Sequence, residues 1–380
     1  GQPQAAFAVE PVIDELAEKL GMDPIDFRIK NAPHEGDRAP SGVPHLKWGC
    51  EEVEEAMKSH PHYSAPLEGP NKGRGVAVGY RLNGGGSGSS ATINVNANGT
   101  INLITGSVDI GGTRTAVAMQ AAEVLGISVE DVNPTIVDTN AVGFTGTTGG
   151  SRIAFDTGRA AINTAGLVIE QMSSRAALLW EVQQDDVEFI DGTFICTKNT
   201  EDKFTFRELA GKLMDTGGPV TCSAADKQGG VGAQLAGHIV DVEVDPDTGK
   251  VDILRYTTFI DAGKAAHPAY VEGQMQGGAL QGIGWALNEE YYFTDDGTMA
   301  NSSFLDYRMP TSLDLPMIDT MIIEVPNSRH PFGLRGVGET VLIPPMAAMA
   351  NAIYHATGAR MDRLPMSPGA ILEAMQEQSP

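Results

Sequence analysis

Two glycine-rich loops of the sequence have the composition of anion-binding sites. The first, at 106–115, lies between a predicted strand and a predicted helix and contains the adjacent glycines Gly111 and Gly112. Adjacent glycines at a helix N-terminus expose backbone N–H groups, and the helix dipole favours an anion there. The same residue types also form ordinary strand-to-helix turns, so the first loop alone leaves both interpretations open.

The second loop, at 144–152, combines hydroxyl side chains, glycines and one arginine, and it precedes a long predicted helix. Backbone donors, hydroxyls and a cation together suit a pyrophosphate. The segment is not a Walker A loop, because no Gly-Lys-Ser/Thr sequence follows. A surface loop without a ligand is the alternative, but two such loops in one chain favour a large phosphorylated cofactor.

The third candidate is a single carboxylate, Glu339, inside an apolar and glycine-rich segment at 332–345. Val337 and Val341 flank it in sequence. If the side chain is buried there, its ionised form is poorly solvated and its pKa rises. A carboxylate tuned in this way can act as a general base near neutral pH. The alternative is a glutamate that only complements the dipole of a helix predicted to begin near residue 345.

Net charge and cysteine usage exclude several other functions. The 380 residues include 26 basic and 49 acidic side chains, a net charge of −23, which disfavours binding to nucleic acids and to anionic membrane surfaces. No apolar run of roughly 18 residues is present, so no membrane span is predicted. Cys50, Cys196 and Cys222 are far apart, and His60 and His62 are the only histidines that lie close together in sequence, so we expect no metal held by protein side chains. Three scattered thiols fit a reducing, cytoplasmic compartment.

The pattern of apolar residues predicts a mixture of helices and strands. Asn98-Gly99 between two alternating runs predicts a β-hairpin, and the turn at 247–249 predicts another. Apolar periodicity and capping residues predict helices at 4–20, 24–30, 51–59, 115–125, 158–181, 270–290 and 345–357. The other predicted strands include 75–80. Because no regular strand–helix–strand repeat is present, the pattern favours an α+β fold.

A change in composition divides the chain. Residues 31–72 are rich in proline, glycine and histidine, and a new unit begins near Gly73. We therefore expect residues 1–70 to be the helical end of a preceding domain plus a linker. Residues 71–380 are expected to form one elongated α+β lobe with hairpin-rich sheets and flanking helices.

Several segments, in this order along the chain, resemble motifs of one enzyme family. They are GQPQ at 1–4, VDIGGTRT at 108–115, TGGSR at 148–152, VEGQMQGGALQGIG at 271–284 and GVGE at 336–339. Together they resemble the C-terminal half of the molybdopterin-binding large subunit of the xanthine dehydrogenase, aldehyde oxidase and carbon monoxide dehydrogenase family. The resemblance runs over nearly the whole sequence.

The resemblance implies molybdenum on a pyranopterin without a protein side-chain ligand, usually in the cytosine dinucleotide form in bacterial members. The residues that match the two cofactor loops by position are Ile110, Gly111, Gly112, Thr148, Gly149, Gly150 and Ser151. Gln274 matches a glutamine near the cofactor, and Gly338 and Glu339 match the catalytic turn, with Glu339 as the general base. Many members have glutamine at the position of Gly112, so one side-chain hydrogen bond to the pterin would be absent or replaced.

The implied reaction is oxidative hydroxylation of an aldehyde or an N-heterocyclic compound, with water as the oxygen source. The resemblance implies that electrons leave through 2Fe-2S clusters and FAD on partner chains. This chain itself lacks a cysteine pattern for a cluster. The implied assembly is a higher oligomer with an iron–sulfur subunit, an FAD subunit and, if the large subunit is split, its N-terminal half. The family's front half has no counterpart here, which fits either a truncated sequence or a split subunit. The alternative function is a cofactor-holding half without turnover of its own.

Overall fold

The computed structural model describes residues 1–39, 41–83, 88–227 and 230–377. Most of the glycine-rich stretch that follows Asn83 therefore lies outside the described residues. Contacts within the chain group it into two compact units. Unit 1 comprises 1–82, 233–328 and 337–380, and unit 2 comprises 83–232 and 329–336.

Helices and strands alternate irregularly along the described chain. The helices are α1 (Gln2–Lys19), α2 (Pro24–Asn31), α3 (Cys50–Ser59), α4 (Pro61–Ser64), α5 (Thr113–Leu125), α6 (Ile153–Trp180), α7 (Phe206–Ala210), α8 (Pro268–Leu287), α9 (Pro345–Thr357) and α10 (Pro368–Glu377). The strands are β1 (Lys72–Asn83), β2 (Ser89–Val95), β3 (Ile101–Thr105), β4 (Val132–Ile136), β5 (Val187–Ile190), β6 (Thr193–Cys196), β7 (Lys203–Thr205), β8 (Thr221–Asp226), β9 (Gly232–Val244), β10 (Val251–Asp261) and β11 (Ile318–Ile323). This mixture confirms the α+β prediction.

Unit 1 is built on a four-stranded sheet of order β1-β9-β10-β11. β9 and β10 form the predicted hairpin, with Val244 opposite Val251, and β11 pairs in parallel with β10. Neighbouring residues of a strand point to opposite faces. Accordingly, Ala77 packs in a core with α8 and α9, whereas Val76 packs in a second core with α2 and α3.

Unit 2 contains a four-stranded sheet of order β4-β3-β2-β8 and a three-stranded sheet of order β5-β6-β7. β2 and β3 form the predicted Asn98-Gly99 hairpin, with Val95 opposite Ile101. Small residues of α6, among them Ala161 and Ala165, are fully buried against the first sheet and α5. The close packing of α6 on the sheet fixes the two loops that precede α5 and α6.

The predicted helices are confirmed, but their ends are shifted in places: α6 begins at Ile153, five residues before the predicted start, directly after the second loop. The sequence patterns missed β5, β6 and β7, which are three or four residues long, and also β4, β8 and β11, which are five or six residues long. A strand of three or four residues contains too few residues to show a two-residue alternation.

The expected domain boundary between residues 70 and 71 stays a prediction. The grouping by contacts places residues 1–82 in one unit with segments that come late in the chain. No helix in the described ranges has both the length and the apolar character needed to cross a bilayer.

Candidate cofactor-binding and active site

The first glycine-rich loop enters α5 through two left-handed residues. Gly111 has φ +59° and Gly112, the N-cap of α5, has φ +78°, a region that strongly favours glycine. This conformation gives a physical reason for glycine rather than glutamine at position 112. The Asp109 carboxylate accepts a hydrogen bond from the Arg114 backbone N–H at 3.1 Å and pairs with the Arg114 guanidinium at 3.2 Å. One donor at this helix terminus is therefore bonded to the protein's own carboxylate.

The second loop is held from beneath by Arg152. This side chain is 4% exposed and donates to the Thr147 carbonyl at 2.8 Å, to the Gly146 carbonyl and to the Ser89 hydroxyl at 3.1 Å. It also pairs with Asp156, one turn into α6, at 3.0 Å. Burial raises the pKa of Asp156, although the neighbouring arginine opposes the shift. The expectation that Arg152 supplies a cation to a phosphate is therefore wrong, because its charge is used inside the protein.

The two loops lie side by side within unit 2. A Cβ added to Gly106, at the start of the first loop, would lie 3.5 Å from the Thr145 hydroxyl of the second. Ser107 is hydrogen-bonded to Thr157 of α6 at 2.7 Å. Below the first loop, a small cleft open to solvent is lined by residues that include Thr113, Arg114 and Thr157.

Two buried hydroxyls beside the second loop test whether the residues fit a phosphorylated cofactor. Ser90 Oγ and Thr145 Oγ1 are buried, and neither has a hydrogen-bond partner among the described residues. Gly143 lies against Ser90, since a Cβ there would be 2.7 Å from its Oγ. Buried hydroxyls without partners are costly unless a ligand or water satisfies them. Together with the left-handed Gly150 (φ +70°), they fit a group rich in hydrogen-bond acceptors.

Glu339 belongs to unit 1 and stands before a single 3-10 turn, Thr340–Leu342, that leads into α9. Its side chain is 44% exposed and accepts a hydrogen bond from Arg81, whose Nη2 lies 2.9 Å from Glu339 Oε2. The expectation that apolar neighbours in sequence bury this carboxylate is wrong. Val341 and Ile343 point into the core, whereas Glu339 points outward with Gly338 half-buried beside it.

The glycines of α8 bring the Glu339 turn close to this helix. Gly278 lies directly against Val341, and a Cβ at Gly282 would be 2.6 Å from Pro345. Gln274 is half-buried one helical turn before Gly278, and residues four apart share a helix face. Gln274 therefore lies on the face of α8 that packs on this turn.

The structure thus places the predicted residues in two groups. Those of the two loops lie together in unit 2, and Gln274, Gly338 and Glu339 lie together in unit 1. Sequence reasoning missed Arg81 and Asp109. For Arg81, the usable signal was its register in β1, two residues after Gly79.

Among the described residues, no group of three or more His, Cys, Asp or Glu side chains is arranged to hold a metal ion.

Comparisons with known proteins agree with the arrangement of the motifs. Residues 52–316 match the model of a molybdopterin cofactor-binding domain, and residues 1–32 match a second domain model of the same description. A xanthine dehydrogenase molybdenum-binding subunit of Escherichia coli O157:H7 is 30% identical over 98% of this chain and 52% of its own length. An aldehyde oxidoreductase of Megalodesulfovibrio gigas is 31% identical over 99% of this chain and 41% of its own length.

A crystal structure of quinoline 2-oxidoreductase from Pseudomonas putida 86 superposes with a TM-score of 0.83 at 26% identity, covering 98% of this chain and 52% of that one. The chain therefore spans about half the length, or less, of these relatives. The family model covers well over half of the chain. The motifs at 108–115, 148–152, 271–284 and 336–339 contain the residues of the loops, helix and turn described above. The chain belongs to the molybdopterin cofactor-binding family of xanthine dehydrogenase and aldehyde oxidoreductase molybdenum-binding subunits.

Proposed function

We propose that this chain is the part of a molybdenum hydroxylase that holds the pterin cofactor and supplies the general base, Glu339. The reaction is oxidative hydroxylation of an aldehyde or an N-heterocyclic compound with water as the oxygen source. One observation carries the proposal: an exposed carboxylate stands at a turn whose backbone is fixed by glycine contacts from α8. A carboxylate that serves as a base must be both reachable and fixed in direction.

The cofactor would be held mainly by backbone donors and hydroxyls. The residues proposed for this role are Ile110, Gly111, Gly112, Thr148, Gly149, Gly150 and Ser151, with Gln274 and Gly338 on the side of the base. Ser90 and Thr145, with hydroxyls that have no partner among the described residues, are additional donors. When bound there, the molybdenum cofactor would supply the two-electron oxidation of the substrate. The cytosine dinucleotide form suits two adjacent loops with donors for phosphate.

Glu339 would take up the proton that the reaction releases. Its half-exposed position allows a ligand to reach it, and proton transfer by a positioned side chain contributes about 100- to 10,000-fold in rate.

Electron transfer would require partner chains. The three cysteines of this chain are buried and free, so 2Fe-2S clusters are proposed for an iron–sulfur subunit. FAD is proposed for a further subunit, as the family resemblance implies. A 6-hydroxypseudooxynicotine dehydrogenase of Paenarthrobacter nicotinovorans, whose gamma subunit is 30% identical to this chain, is by name a multi-subunit complex.

Elemental and nucleotide analysis of the complex purified from its source tests the proposal. We expect molybdenum together with CMP released by hydrolysis, and turnover of an aldehyde or N-heterocycle with incorporation of oxygen from labelled water. Molybdenum and CMP without turnover in the complete complex would support the alternative of a cofactor-holding half. Absence of both would contradict the cofactor assignment itself.

A further inference from the structure

Strand β1 presents a row of small residues that ends in an arginine. Gly73, Gly75, Ala77, Gly79 and Arg81 alternate along the strand, so they share one face of the sheet. Gly73 and Gly75 lie directly against the backbone of α9. This face of β1 therefore approaches α9 more closely than any side chain would allow.

The same row reaches the Glu339 turn. A Cβ added to Gly79 would be 2.6 Å from Ile343 Cβ and 2.8 Å from Pro344 Cδ. Arg81 is the next residue on this face, and the turn continues from Ile343 back to Glu339. The register of β1 thus brings the guanidinium to the carboxylate.

Arg81 makes two side-chain contacts in different parts of unit 1. Its Nη2 donates to Glu339 Oε2 at 2.9 Å, and its Nη1 donates to Gln2 Oε1 of α1 at 2.8 Å. The arginine side chain is 18% exposed, and its buried Nε has no partner among the described residues. A guanidinium has its donors in a rigid plane, so fixing one nitrogen on α1 restricts the direction of the others.

We propose that Arg81 is the positioning residue for Glu339, with Gln2 as its anchor on α1; the inference rests on the proposed function of Glu339. Holding Oε2 fixes the plane of the carboxylate and, with it, the direction of Oε1. Loss of this contact removes the constraint that the guanidinium places on the carboxylate. A misplacement of about 1 Å can reduce turnover by about 100-fold.

The test uses the complete enzyme that contains this chain. Arg81→Met keeps an unbranched apolar stem but removes the charged fork, and Arg255→Met is the matched control, because Arg255 pairs with Asp319 at 3.4 Å on an exposed surface. We expect Arg81→Met to lower kcat by about 10- to 100-fold, with molybdenum content and KM unchanged. Guanidinium added at millimolar concentration should restore part of the turnover that Arg81→Ala loses. It should restore no turnover in variants of other residues.

Glu339→Gln separates the positioning role from the proposed function. If Arg81 acts only through Glu339, the variant with both changes should turn over no more slowly than Glu339→Gln alone. An inactive Glu339→Gln enzyme with a normal Arg81→Met enzyme would overturn the positioning role and leave the base intact. A normal Glu339→Gln enzyme would overturn the proposed function instead.

Unfolding of the cofactor-free chain gives a readout independent of activity. The shifts in urea midpoint of Arg81→Met and Glu339→Gln should not add in the variant that has both changes, because each removes one charge of the same ion pair. Strict additivity, or a loss of turnover that guanidinium does not restore, would show that Arg81 stabilises the fold without positioning Glu339.

Discussion

Glu339 and Glu54 are two carboxylates of unit 1 in opposite surroundings. Glu339 has apolar neighbours in sequence, yet its side chain is 44% exposed and paired with Arg81. Glu54 lies in an acidic stretch of α3, yet it is 3% exposed. Burial is thus decided by which face of an element packs on the rest of the fold, and much less by the residues next in sequence.

The surroundings of Glu54 keep it protonated. Burial raises its pKa to about 8; nearby Glu10 and Glu51 add to the shift, while Arg28 opposes it. Glu54 Oε2 has no hydrogen-bond partner among the described residues. Arg28 is bonded instead to Glu10, with Nη2 2.8 Å and Nε 3.1 Å from Glu10 Oε2. The buried cluster of Glu10, Arg28 and Glu54 therefore contains one ion pair and one additional carboxylic acid. At the Glu339 turn, by contrast, the ion pair is half-exposed.

The largest effect on stability is expected from breaking the buried pair. Arg28→Met leaves the Glu10 carboxylate, which also accepts the Val78 N–H at 2.7 Å, without its cation. We expect the free energy of unfolding to fall by about 3–5 kcal/mol, measured by urea titration. The exposed pair of Arg255 is the control, and Arg255→Met should cost less than about 1 kcal/mol. Equal losses in both variants would show that burial does not distinguish the two pairs.

Glu54 should make stability depend on pH. Its pKa in the folded chain is about 8 against an ordinary 4.5, so its contribution to stability is complete below pH 4.5 and is lost as the pH rises through 8. At pH 7 the loss is about 3 kcal/mol relative to pH 4. Glu54→Gln removes this titration, so the variant should be less sensitive to pH between 5 and 8 than the wild type.

Glu55 provides the matched control, since it is exposed at the next position of α3. Glu55→Gln should change the free energy of unfolding by less than about 0.5 kcal/mol. If Glu54→Gln and the wild type lose stability equally between pH 5 and 8, Glu54 is not held as the neutral acid.

A smaller effect is expected where β1 meets the Glu339 turn. Gly79→Ala pushes against Ile343 and Pro344, and overpacking of this kind costs about 1–3 kcal/mol. Thermal unfolding measures the loss, and turnover should fall with it because the turn moves. Gly166→Ala in α6 is the control, because a Cβ there meets nothing within 4 Å. It should leave the protein unchanged or stabilise it by up to about 1 kcal/mol. A neutral Gly79→Ala would show that the strand and the turn are not locked together.

Local signals in the sequence were sufficient for the fold class and for most long elements. The Asn98-Gly99 turn and the periodicity of α9 depend on residues close together in sequence, and both were correct. The glycines of the 271–284 motif were recognised, but their contact with Val341 and Pro345 was not, since it joins segments far apart in the chain.

The motifs of the candidate site could be predicted from the sequence, but the ion pairs of Arg152 and Arg81 could not. Arg152 was interpreted as a cation for phosphate, but its partners Ser89 and Asp156 are brought to it only by folding. Arg81 was missed because its partner Glu339 lies 258 positions away. Local patterns identify backbone conformation well, whereas ion pairing depends on tertiary contacts.

The most direct test of Glu339 as the general base is the Glu339→Gln variant of the assembled enzyme, measured for molybdenum content and turnover together. Glutamine keeps the shape of the side chain and a carbonyl oxygen as acceptor for Arg81, but it does not take up the proton. If Glu339 is the general base, the variant should keep the molybdenum content of the wild type and lose at least about 100-fold in turnover. Near-normal turnover would contradict a general base at this position, and loss of molybdenum together with activity would assign Glu339 a structural role.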